Sequence, residues 1–94
     1  MATEMYNPSH PGDVLREFLE GRKIGDVAAH IGVSRVMLSK ILNRRAGVTA
    51  EMSLRLSTAL RTSPSLWFDI QKNWEFAQAR HKKLPRIERP DTAA

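Results

Sequence analysis

The stretch that decides the fold runs from Val27 to Arg45, VAAHIGVSRVMLSKILNRR. It carries Arg35, Lys40, Arg44 and Arg45, and no Asp or Glu occurs between Asp26 and Glu51. Ala28 is followed by Gly32, Leu38 and Ile41 in the spacing Ala-x3-Gly-x5-Leu-x2-Ile. A small residue lets two helices cross closely, and a glycine four positions later makes the turn. Apolar residues at fixed offsets then lock the second helix down, which is the pattern of a helix-turn-helix. Val27, Ala28, Ile31, Gly32, Val33, Leu38 and Ile41 fill the inner positions of such a unit over residues 25–43.

Ser34 is a good N-cap for the second helix of the unit, which the pattern carries to about Asn43. At 100° per residue, Met37, Leu38, Ile41 and Leu42 form one apolar stripe about 140° wide. The opposite face holds Arg35, Val36, Ser39, Lys40 and Asn43. Arg and Lys donate to guanine O6 and N7, Asn pairs with adenine, and Ser adapts to either. Val36 suits a thymine methyl. A carboxylate there would face phosphates in a groove already dense with negative charge, so its absence fits a DNA-reading helix. Arg44 and Arg45, just past the helix end, are placed for backbone phosphates.

Outward from this unit the chain reads as all-α, with about five short helices. Ser9, Pro11 and Asp13 are start signals for a first helix whose apolar face is Val14, Leu15, Phe18 and Leu19. Gly25 and Asp26 open the second helix, and Thr49 caps a fourth with Met52, Leu56, Ala59 and Leu60 along its buried side. Ser63-Pro64 reads as cap and first-turn proline of a fifth helix reaching about Arg80. Residues 1–8 read as a loose arm, 9–80 as one domain, and 81–94 as a basic, mobile tail.

The 94 residues carry a net charge of +5, with the excess in two blocks, residues 27–50 and 80–94. A basic balance favours anionic partners. The absence of cysteine excludes a disulfide framework and a thiolate metal site, and His10, His30 and His81 are too scattered for a local metal motif. There is no cysteine nucleophile and no glycine-rich phosphate loop, so the reading is of a non-enzyme without cofactor. No apolar run approaches a membrane span and no signal-peptide core is visible, so a cytoplasmic protein is expected.

Three further stretches carry a resemblance. His10-Pro11-Gly12-Asp13-Val14-Leu15, the unit at 32–43 with its continuation to Leu56, and Thr62-Ser63-Pro64 through Gln71 occur in the order found in antitoxins of the HigA type. These belong to the lambda-repressor-like helix-turn-helix proteins. Gly25 stands where that family often has a serine or threonine cap. The resemblance implies a five-helix repressor-like domain, usually dimeric. It also implies repression of its own operon and neutralisation of a small, basic, mRNA-cleaving toxin. It carries DNA contact onto Ser34, Arg35, Val36, Ser39, Lys40 and Asn43. A stand-alone regulator without a toxin has the same chemistry, and that alternative stays open here.

A unit of this size contacts about half a site, so pairing on a palindromic double-stranded operator is expected. On the fifth helix, Leu66, Trp67, Ile70, Trp74 and Ala77 share one sector, while Phe68 and Phe76 lie outside it. Phe68, Trp74 and Phe76 are therefore the candidate homodimer or partner interface. The basic tail is read as solubilising, or as a contact for phosphates or a toxin.

Overall fold

The computed structural model describes residues 8–90, so most of the expected N-terminal arm lies outside the described residues. Five helices follow one another, α1 (Pro11–Phe18), α2 (Ile24–Ile31), α3 (Arg35–Leu42), α4 (Ala50–Leu60) and α5 (Leu66–His81), with no strand among the described residues. The all-α expectation holds. α3 packs on α1 and α2, α4 lies against α2 and α5, and α5 returns to α1. Their shared core is built from Leu15, Leu19, Ala28, Ile31, Leu38, Ile41, Leu42, Val48, Met52, Leu56 and Trp67.

α1 starts one residue later than its serine signal. His10, not Ser9, is the N-cap, its Nδ1 accepting the Gly12 N–H at 2.9 Å. The reason is Pro11, which pushes the residue before it into extended backbone, the conformation an N-cap needs. His10 is buried, with its ring edge-on to Trp74 at 4.8 Å between centroids. Behind the cap, Gly12 presses on the end of α3: a Cβ there would lie 2.0 Å from the Ile41 carbonyl oxygen. Of the expected apolar face, Leu15 and Leu19 are buried, whereas Phe18 is 44% exposed and sets its ring edge on Trp67.

The His10 cap requires a neutral imidazole, because only an unprotonated Nδ1 accepts. Burial lowers its pKa below the ordinary 6.5; Asp13 opposes the shift and Arg44 adds to it. A folded-state pKa lowered in this way contributes stability above the unfolded value and loses it as pH falls through the folded one. The unfolding midpoint is therefore expected to be flat above pH 7 and to decline below about pH 6. His10→Asn keeps a capping acceptor and removes the titration, so it should flatten that decline. Equal declines in both proteins, followed by thermal melts from pH 8 to 5, would discard His10 as the cause.

α2 begins before the expected Gly25-Asp26. Its N-cap is Lys23, which supplies no side-chain bond, and Asp26 sits within the first turn, where a carboxylate favours the positive helix end. Its far end follows the motif. Gly32 is left-handed at φ 78°, and Val33 N–H reaches back to Ala28 O at 3.0 Å, a Schellman closure. α3 and α4 are capped as expected, Ser34 Oγ accepting from Met37 N at 3.0 Å and Thr49 Oγ1 from Met52 N at 3.1 Å. Met37, on the flank of the apolar stripe, is 41% exposed, so three of the four stripe residues are buried. On α4, Met52 and Leu56 are buried with Ser53 and Ser57, while Ala59 and Leu60 are half-buried.

The start of α5 corrects the Ser63-Pro64 reading. Those residues form a turn, closed by Leu66 N to Ser63 O at 3.2 Å, and the helix begins at Leu66. The cap comes from another helix: Ser53 Oγ accepts the Phe68 N–H at 3.1 Å and donates to Pro64 O at 2.8 Å. Trp67, fully buried, is oriented by its Nε1 donating to Thr62 Oγ1 at 3.1 Å. Gln71 is buried as well, its Oε1 accepting from Val48 N at 2.9 Å. Beyond α5 the described tail has no regular structure and is exposed.

Candidate nucleic-acid interface

α3 divides as its sequence implies, with Leu38, Ile41 and Leu42 in the core and the polar set outside. Arg35, Val36, Ser39, Lys40, Asn43 and Arg45 line one open hollow along its outer side. Val36 is exposed within it, an apolar spot among donors. Ser34 lies at the helix start, and its hydroxyl is engaged with Met37 N. Eight residues make α3 about 12 Å long, which fits one stretch of major groove.

Two of the expected contacts are also tied into the protein itself. Arg44 takes a left-handed backbone at φ 62° and turns its guanidinium onto the Asp13 carboxylate of α1. The hydrogen bond from Arg44 holds the Asp13 carboxyl below its ordinary range, and Asp13 in turn raises the Arg44 pKa. Arg45, by contrast, faces the hollow. The Asn43 amide is engaged on both sides, accepting from Arg16 and donating to Ser39. Among the described residues, the donors in the hollow with no side-chain partner are therefore Arg35, Lys40 and Arg45, beside the Ser39 hydroxyl and Val36.

Other residues that hold the unit in place escaped the sequence reading. Arg55 of α4 donates to Ile31 O at 2.7 Å and, more weakly, to Gly32 O at 3.4 Å, so it satisfies the carbonyls at the motif turn. Glu51 steadies it one helical turn earlier, at 2.9 Å. The Glu51-x3-Arg55 spacing was a visible signal for that ion pair. Nothing local signalled that Arg55 also reaches 24 residues back.

On the candidate dimer face, Phe68 is half-buried under Lys72, whose Nζ sits 5.3 Å from the ring centroid, and Trp74 is half-buried against His10. Phe76 remains 63% exposed, beside Lys72, Glu75 and Ala79. Phe68 and Trp74 thus have partners within the chain, and Phe76 is the large aromatic left outward.

Fold and site together define a helix-turn-helix protein with five helices. The chain belongs to the helix-turn-helix family, whose profile matches residues 15–67, from within α1 to the first turn of α5. Its structural neighbours are HigA-family antitoxins. An addiction module antidote protein of the HigA family from Coxiella burnetii is 30% identical, with a TM-score of 0.73 over 78% of this chain and 83% of that one. The antitoxin HigA of Pseudomonas aeruginosa, determined with the higBA promoter, is 32% identical, with a TM-score of 0.74 over 78% and 83%. A Haemophilus influenzae protein described as an HTH-type transcriptional regulator is 32% identical over a gapped alignment of 98 positions that covers 92% of each chain. These relatives are regulators and antitoxins. No helix among the described residues is long and apolar enough to cross a membrane.

Proposed function

We propose that this protein is the antitoxin of a type II toxin–antitoxin pair. As a homodimer on a palindromic operator it lays α3 in the major groove and represses its own operon, and it neutralises a small basic toxin that cleaves mRNA. The observation that carries the DNA half is the outer side of α3. Three cationic side chains, a hydroxyl and one exposed valine share a hollow with no carboxylate. Donors of this kind match the acceptor-rich major-groove edge of guanine and the methyl of thymine. The likeness to a HigA protein determined with its promoter supports the same reading.

Direct readout is assigned to Arg35, Val36, Ser39 and Lys40, and phosphate contact to Arg45. Asn43 and Arg44 shape the end of the helix, and Ser34 starts it. The pairing surface is assigned to Phe76, the exposed member of the three; Phe68 and Trp74 are engaged by Lys72 and His10 within the chain. The expected result for Phe76→Glu is a shift from dimer to monomer in sedimentation equilibrium; an unchanged dimer would remove this residue from the interface.

A second reading, a stand-alone regulator, is favoured by relatives described only as HTH-type transcriptional regulators. Both readings are tested by fluorescence anisotropy on the duplex upstream of the protein's own gene, beside a scrambled duplex, at two salt concentrations. Selective binding with a steep salt dependence supports the operator role. Equal, weak binding to both duplexes would count against it. A toxin partner is tested by co-expressing the neighbouring reading frame: growth arrest relieved by this protein supports the antitoxin, and no arrest leaves the regulator.

A further inference from the structure

Among the described residues that line the α3 hollow, Val36 alone is apolar; the others are Arg35, Ser39, Lys40, Asn43 and Arg45. It is 65% exposed and sits in the first turn of the helix, just after the Ser34 cap and Arg35. The first turn is the part of a recognition helix that meets base edges. At 100° per residue the outer face runs from Arg35 to Lys40, and Val36 lies about 30° from its midline. Asn43, nearer the midline, is already engaged by Arg16 and Ser39. Arg35 and Lys40 stand at the two edges on long stems, with a short, stiff side chain between them. A helical valine keeps essentially one χ1 rotamer, so it cannot swing aside from an unfavourable base.

The major-groove edges of the four bases present donors and acceptors, and the one apolar group that projects from them is the C5-methyl of thymine. Valine set against a polar group would strip it of water and give it no partner in return. Against cytosine, whose C5 carries only a hydrogen, it would leave a gap. Resting on the DNA reading above, we infer that Val36 recognises a C5-methyl group in the operator, so that binding responds to pyrimidine methylation as well as to sequence. Uracil has every polar atom of thymine and lacks the methyl. 5-Methylcytosine carries, on the same ring atom, the methyl that cytosine lacks. The base under Val36 is therefore thymine, and methylating a cytosine placed there strengthens the complex.

The test uses the full chain in anisotropy titrations on the promoter duplex of its own gene, with a scrambled duplex of equal composition beside it. Each thymine of the bound site is replaced in turn by deoxyuridine, which removes only the methyl. At one thymine per half-site the expected result is about a fourfold loss of wild-type affinity, the worth of burying one apolar carbon. With cytosine at that position, the 5-methylated duplex should bind about fourfold tighter than the unmethylated one. Val36→Ala should bind the members of each pair alike, and its folding should scarcely change because the residue is exposed and outside the core. Val36→Thr keeps one of the two methyls and should retain part of the difference. The inference is overturned if no thymine responds in the wild type while the promoter is still preferred over the scrambled duplex, or if Val36→Ala responds as the wild type does. Cytosine and 5-methylcytosine bound alike at a responding position overturn its methylation half. A wild type without any promoter preference overturns the DNA reading itself, and this inference with it.

Discussion

Replacing Gly12 with alanine is expected to destabilise the protein by about 3 kcal/mol or more, the upper end of what overpacking costs. The added methyl would lie 2.0 Å from the Ile41 carbonyl oxygen and 3.0 Å from its carbon, so main chain, not a flexible side-chain tip, stands in the way. Neither helix can retreat cheaply. Arg16 binds Leu42 O and Arg44 binds Asp13 across the same junction, and opening it would break both. For a domain of this length the loss corresponds to a drop in Tm of roughly 15 °C. Gly21→Ala is the control. That glycine has φ 83° with nothing within 4 Å of a new Cβ, so only the left-handed backbone is penalised, by about 1 kcal/mol. Similar melting curves for the two variants would mean that the α1–α3 contact yields more easily than its geometry implies.

The second large effect is expected at the outer side of α3. Arg35→Ala with Lys40→Ala should lower promoter affinity at least on the order of a hundredfold, since each good base contact is worth about 1–3 kcal/mol. Folding should scarcely change, because both side chains are exposed and neither belongs to the core. Arg44→Ala tests the other half of the assignment. Its guanidinium is paired with Asp13, so it should lower the salt slope less than Arg45→Ala, which is expected to remove about one phosphate contact. An Arg35/Lys40 variant with wild-type selectivity in anisotropy titrations would remove both residues from the readout.

What was legible in the chain was local. Ser34 and Thr49 cap helices three residues ahead of themselves, and Gly32 turns the chain where the spacing from Ala28 demands. Leu38 and Ile41 fall inward because their angular positions leave no alternative. What was not legible has a different cause. The cap of α5 lies 15 residues away on Ser53, the partner of Arg44 lies 31 residues away on Asp13, and Asn43 is claimed by Arg16 from 27 residues away. A wheel shows that Asn43 and Arg44 are exposed, which is true, yet it cannot show that their polar atoms are already occupied. Gln71 is the same case inverted: a polar residue in sequence, it is buried because the Val48 N–H, 23 residues away, needs its oxygen. The His10-Pro11 pair was misread for a local reason, since histidine is a rarer cap than serine and only the backbone preference before proline decides between Ser9 and His10.

The division of α3 also bears on how such proteins diversify. Leu38, Ile41 and Leu42 supply its hold on the rest of the molecule, while Arg35, Val36 and Lys40 contribute nothing to the core. Exchanging the outer residues therefore leaves foldability almost untouched. On the proposed readout, address and chassis are separable: several copies of this scaffold could each attend to a different promoter, at a distance of a few surface substitutions.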